Sequence, residues 1–179
     1  MLNLARLSSL LLSALWAPAA PQVIWLDVPF VQQVGNGCGA ACISMIMRYW
    51  HRSSASARMP DDTQIIGRLF SEEIEGVRAA DLARFLQEQD YRVFTFNGNR
   101  DDLEHHLQKG RPLIVGIKQS SGTARFHFVV VAGLDPAQDL ILVNDPARRK
   151  LIKLRRADFE RDWKECGNWT LLALPPNEK

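Results

Sequence analysis

The segment from Cys38 to Trp50, CGAACISMIMRYW, limits the fold of this chain more than any other stretch. At helical spacing one face carries Ala41, Met45 and Tyr49, and another carries Cys42, Ile43, Ile46, Met47 and Trp50. Such a helix is apolar nearly all round and has to be buried by the rest of the chain. Before it, VPFVQQVGNG passes from a short strand-like piece into a Gly- and Asn-rich turn, which places Cys38 where turn becomes helix. A helix start has unpaired N–H groups and the positive end of the macrodipole, conditions that favour a thiolate. Gly37 and Gly39 are read as leaving the sulfur uncrowded and open to a substrate backbone. A buried helix with a cysteine at its tip is expected to mount a nucleophile; the plainer alternative is a small core residue.

The remaining sequence covers this helix with two kinds of element. DTQIIGRLF, capped by Asp61 or Asp62, reads as a helix. RAADLARFLQEQ reads as an amphipathic helix with Ala79, Leu82, Ala83, Phe85 and Leu86 inward, and DDLEHHLQKG as a capped helix ending at Gly110. YRVFTF is a short strand between the last two, RSSASARMPDD a surface loop, and SEEIEGV a turn with an acidic rim. The runs RPLIVGIKQ, FHFVVVAGLD, LILVND, KLIKLR and WTLLALP then read as strands, with hairpin turns at SSGT and DPAQD. ADFERDWKE is a helix before the last of them. The fold class expected is α+β, a helical N-terminal half packed on a C-terminal antiparallel sheet.

At 179 residues and 46% hydrophobic content the chain suits one ordinary domain. Residues 1–19 read as a signal peptide: Arg6 gives a positive charge, LSSLLLSALWA is a short apolar run, and Ala17-Pro18-Ala19 supplies small residues for cleavage. A domain over residues 20–179, exported to a bacterial periplasm or secreted, is therefore expected, with no membrane span left after cleavage. The formal charge of +2 gives no electrostatic footprint for nucleic acid. The basic run Arg148, Arg149, Lys150, Lys153, Arg155 and Arg156 is followed by Asp158, Glu160, Asp162 and Glu165, so a solvated hairpin is expected there. Three cysteines leave one unpaired, and with Cys38 free the other two have two readings. Cys42 and Cys166 form a disulfide, or Cys42 is a buried free thiol. No Cys or His pair has zinc-site spacing, and no cofactor or metal is expected.

A cysteine nucleophile needs a base and an orienting partner for that base. Of the four histidines, His51 follows the central helix, and His105 and His106 are adjacent on a short helix where at most one faces inward. His127 opens the most apolar strand, HFVVVAG, and a polar ring there has to be satisfied by something. Asp145 ends LILVND, the strand expected to pair with HFVVVAG, and antiparallel pairing sets the end of one beside the start of the other. Asp135 and Asp139 belong to the opposite end. Gln32 and Gln33, six and five residues before Cys38, are candidate amide donors to an oxyanion. Adjacent residues on an extended chain point opposite ways, so only one can serve, and spacing does not choose.

Gln32, then Cys38-Gly39-Ala40-Ala41-Cys42, then His127 before an apolar strand and Asn144-Asp145-Pro146 after the next resemble the C39 peptidase family. These are papain-like cysteine peptidases best known for removing double-glycine leaders from bacteriocins. The resemblance runs from Val28 to about Pro175. It implies a papain-like fold and hydrolysis of a peptide or protein substrate, with Cys38 as nucleophile, His127 as base, Asp145 as its orienter and Gln32 as oxyanion donor. The family often carries an acidic residue before the nucleophile, whereas Gly37 stands here and resembles the stand-alone C39-like branch. A non-catalytic peptide-binding domain, or a cell-wall amidase or acyltransferase built on the same Cys–His pair, are the alternatives to peptide hydrolysis.

Overall fold

Helix α1 (Cys38–Ser53) begins at the cysteine, and every residue from Cys38 to Met47 is buried. Ile43, Met45, Ile46 and Met47 are at most 1% exposed, each contributing roughly 1.5–3 kcal/mol of apolar burial. Its far end is fastened by side chains: Tyr49 donates its hydroxyl to Gly110 O at 2.7 Å and Trp50 its indole N–H to Ala173 O at 2.9 Å. The computed structural model describes residues 22–53, 60–118 and 126–178. The signal segment expected over residues 1–19, the SSGT turn and part of the loop after α1 lie outside them.

Against α1 pack α2 (Asp62–Leu69) and α3 (Ala79–Glu88), while α4 (Arg100–Gln108) packs on the sheet. Asp61 caps α2 by accepting from Gln64 N at 2.8 Å. Asn99 and Asp102 form a reciprocal capping box at the start of α4. The expected strands are present as β5 (Leu113–Lys118), β6 (Phe126–Asp135), β7 (Leu140–Asp145), β8 (Arg149–Arg155) and β9 (Trp169–Leu174), with α5 (Arg156–Lys164) before the last. They form an antiparallel sheet with β4 (Arg92–Asn97), in the order β4-β9-β5-β6-β7-β8.

Two features depart from a simple split of helices and strands. β4 comes from the helical half yet joins the sheet edge, paired along its length with β9 from Arg92↔Leu174 to Asn97↔Trp169. As an edge strand it buries only part of itself, with Val93 and Phe96 against the core and the rest exposed. SEEIEGV is more than a turn: β2 (Phe70–Ser71) and β3 (Gly76–Val77) form a small hairpin around Glu72–Glu75. The lead-in to Cys38 contains only a two-residue strand, β1 (Ile24–Trp25), paired with Leu134 and Gly133 of β6.

Half of the basic run is paired with carboxylates on the surface. Lys150 pairs with Asp27 at 2.5 Å, Arg155 with Asp158 at 2.7 Å, and Arg156 with Asp139 and Glu160. Cys38, Cys42 and Cys166 are all free thiols, so of the two readings left open by the sequence the structure carries the buried free thiol at Cys42. No helix among the described residues is long and apolar enough to cross a membrane.

Candidate active site

Cys38 sits at the first turn of α1, 8% exposed, with its backbone N–H among those a helix start leaves unpaired. The flanking glycines also have a packing role. A Cβ on Gly37 would lie 2.7 Å from Ile66 Cδ1, and one on Gly39 would lie 3.0 Å from Leu82 Cδ2 and 3.1 Å from Val77. Both are buried, so they let α2, α3 and the hairpin close on the start of α1. A side chain at position 37 would have to displace the end of Ile66.

His127, near the start of β6, is 5% exposed, and Asp145, at the end of β7, is 7% exposed. The pairing of β6 with β7, Val131↔Val143 and Val130↔Asn144, brings them together, and His127 Nε2 lies 2.8 Å from Asp145 Oδ1. With Nε2 committed, Nδ1 is the ring nitrogen left for Cys38, whose thiol is the imidazole's other hydrogen-bonding neighbour. Burial alone would lower the His127 pKa from 6.5, but the hydrogen bonds to Asp145 and Cys38 outweigh it and hold it up to about 9. Burial pushes the Cys42 thiol well above its ordinary value, with Cys38 and Asp145 adding to the effect. Cys42 is therefore an inert core thiol one helical turn from Cys38.

The other candidates are elsewhere. His51 and His105 are exposed, and His106 is half-buried on α4, its pKa lowered first by burial. Asp135 sits at the far end of β6, where it caps the turn by accepting from Gln138 N at 3.1 Å, and Asp139 pairs with Arg156.

Of the two glutamines, the structure brings Gln33 and not Gln32 to Cys38. A cleft of about 260 Å³ is lined by Gln33, Asn36, Cys38, Ile74, Val77 and His127 among others, and Gln32 is not part of its wall. Gln32 is exposed, whereas Gln33 is half-buried. The choice is made by a tertiary contact: Gln33 N donates to Pro146 O at 3.0 Å, which sets the phase of this extended segment. The Gln33 side-chain amide donates one N–H to Gly35 O at 2.5 Å, which leaves the second N–H of the same group.

Asn144 is a site-building residue that the sequence did not reveal beyond its place in Asn-Asp-Pro. It is 1% exposed, donates to Val28 O at 3.1 Å and accepts from Leu151 N at 2.9 Å. It thereby fixes the strand bearing Asp145 both to the segment leading to Gln33 and to β8. A buried amide inside a strand has to be fully bonded, and that was the available signal. No cluster of metal-ligating side chains occurs among the described residues.

Comparison with known proteins places this geometry. Residues 25–171 match the model of the Peptidase_C39 like family. A protein from Bacillus anthracis named as a C39-like peptidase superimposes with a TM-score of 0.70 at 17% identity, covering 89% of this chain and 100% of that one. A double glycine motif protease from an AMS/PCAT transporter, solved with its leader peptide, gives 0.64 at 19% identity over 84% of this chain and 94% of that one. The peptidase domain of Streptococcus ComA, a bi-functional ABC transporter of a quorum sensing pathway, gives 0.65 at 15% identity over 82% and 97%. No curated protein matches the sequence.

Proposed function

This chain belongs to the Peptidase_C39 like family, with the papain-like α+β fold of C39 peptidases, and on that premise we propose that it hydrolyses peptide bonds through Cys38, His127 and Asp145. The observation that carries the reading is the buried His127–Asp145 contact at 2.8 Å beside a cysteine at a helix start. In this reading His127 takes the Cys38 proton, the sulfur attacks the scissile carbonyl, and the carbonyl electrons move onto oxygen. The imidazolium then protonates the leaving amine as the tetrahedral intermediate collapses to a thioester. Water, deprotonated by His127, attacks the thioester; its collapse releases the acid and returns the proton to the sulfur. The Cys38 backbone N–H and the Gln33 amide are the proposed oxyanion donors. The substrate is a peptide or protein, and a Gly-Gly-type leader is the candidate that family resemblance supplies. Export rests on residues 1–19 and is proposed with it.

Iodoacetamide labelling read by intact mass and peptide mapping tests the reading. One adduct is expected, on Cys38 ahead of half-buried Cys166, formed near pH 6.5 well faster than an ordinary thiol of pKa about 8.5 allows. The same spectrum of exported protein should show a chain beginning near Ala20. Labelling at Cys166 first, or at the rate of a free thiol, would reject an activated cysteine.

The two glutamines give a second expected result. Gln33→Ala should lower kcat by about 10²- to 10³-fold, the usual loss for one oxyanion donor, while Gln32→Ala should change it less than twofold. Equal rates for the two variants would remove Gln33 from the mechanism.

A further inference from the structure

Next to the Cys38 cleft, and meeting it at His127, lies a second cavity, of about 550 Å³. It shares the imidazole with the cleft but is not lined by Cys38 or Gln33. Under the proposed mechanism this position has a direction. The nucleophile and the oxyanion donors hold the acyl part of the substrate, and the imidazolium gives its proton to the amine that departs. The second cavity meets the imidazole and Asp145 but neither the nucleophile nor Gln33, and so is the one placed to take the segment released with that amine.

The floor of this cavity is apolar, with Ile117, Val143 and Ile152. Three charged side chains stand on its wall besides the His127–Asp145 pair. Lys118 is engaged with Glu165 at 3.4 Å and Asp162 with Arg161 at 3.1 Å. The third, Arg148, makes no side-chain hydrogen bond or ion pair with any described residue. His127 and Asp145 offset one another, so the uncompensated charge of the described wall is the Arg148 guanidinium.

Its backbone is also unusually well fixed for an exposed arginine. Arg148 N donates to Asp145 O at 3.0 Å, closing a tight turn over Asp145-Pro146-Ala147-Arg148. Within that turn Ala147 N donates to Asp145 Oδ1 at 3.0 Å, and Pro146 O accepts from Gln33 N. The turn that orients the carboxylate behind His127 thus also sets where a planar, bidentate cation begins.

We propose that Arg148 is a specificity residue that binds a carboxylate on the leaving segment of the substrate, carried by an Asp or Glu side chain or by the C-terminus itself. The inference rests on the peptidase reading above.

The test is digestion of a synthetic peptide library, prepared with amidated and with free-acid C-termini, by the wild-type chain, Arg148→Glu and Arg148→Lys, with cleavage sites read by mass spectrometry. Wild type should favour acidic over neutral residues within about three positions after the cut by roughly threefold to tenfold, the scale of a charge-assisted contact in a partly solvated site. Arg148→Glu should reverse the preference toward Lys and Arg, and Arg148→Lys should keep part of it. A preference that persists in the amidated library assigns the carboxylate to a side chain; one confined to the free-acid library assigns it to the C-terminus. Cleavage with no acidic preference, or with one unchanged in Arg148→Glu, overturns the role of Arg148 and leaves the peptidase reading intact. No cleavage by wild type overturns both.

Discussion

Cys38→Ala should abolish peptide hydrolysis, lowering kcat/KM by about 10⁴-fold or more, while changing folding stability by only about 1 kcal/mol, since it removes one sulfur atom that borders the cleft and strands no charge. His127→Ala should abolish turnover to the same degree for a different reason and with a different thermodynamic signature. Asp145 is only 7% exposed, and its carboxylate is held by the His127 ring and by Ala147 N. Removing the imidazole strands a buried carboxylate, and breaking a buried pair by deleting one partner costs about 3–5 kcal/mol. The two variants should therefore be equal in activity and unequal in denaturant midpoint. The double variant should be no less active than either single one, because groups acting as a unit lose their contribution together. Peptide turnover and urea unfolding of the four proteins check this. Residual turnover in Cys38→Ala would remove Cys38 from the role of nucleophile, and equal midpoints would mean that the His127–Asp145 contact is not formed as described.

Those three positions were legible in the sequence because each rests on a local rule. A cysteine where a turn becomes an all-apolar helix, a histidine heading the most apolar strand and an aspartate ending the neighbouring strand need only helix-start electrostatics and antiparallel pairing. What was not legible depended on contacts between distant segments. Alternation along the extended chain showed that one of Gln32 and Gln33 turns inward, but the bond from Gln33 N to Pro146 O decides which. Gly37 and Gly39 look the same in sequence whether they admit a substrate or a neighbouring helix, and the answer lies in Ile66, Leu82 and Val77. β4 carries a clear strand pattern, yet nothing local pairs it with β9. Arg148 was indistinguishable from the other basic residues of its run until Lys150, Arg155 and Arg156 were seen with their partners and Arg148, unlike Arg149 and Lys153, on the cavity wall. Local chemistry was readable from residue type and spacing, whereas the choice among equivalent neighbours required the packed chain.

Asp145→Asn isolates what the carboxylate does for the imidazole. In the wild type, Asp145 and Cys38 hold the His127 pKa up to about 9, against the downward pull of burial. A group whose pKa is higher folded than unfolded stabilises the fold fully below its unfolded value, near 6.5, and loses that contribution as pH rises through about 9. Wild-type stability should therefore decline between those two values, and activity should fall toward pH 9 as the acid that protonates the leaving amine is lost. An asparagine keeps the turn, because its side-chain oxygen can still accept from Ala147 N as Asp145 Oδ1 does at 3.0 Å. The same Oδ1 lies 2.8 Å from Nε2, so an asparagine oxygen in that place still accepts from Nε2–H, and the ring keeps the tautomer that offers Nδ1 to Cys38. What is lost is the negative charge that favours the imidazolium, so the ring becomes a weaker base toward Cys38. The expected result is a fall in kcat of roughly 10- to 100-fold, part of what general acid–base catalysis supplies, a His127 pKa displaced below the wild-type value, and a weaker decline in stability toward pH 9. An NMR titration of the His127 ring proton, alongside urea midpoints across the same pH range, measures both shifts. A His127 titration unchanged in Asp145→Asn would mean that the positive charge on the ring is held by Cys38 alone, and the orienting role of Asp145 would then have to be given up.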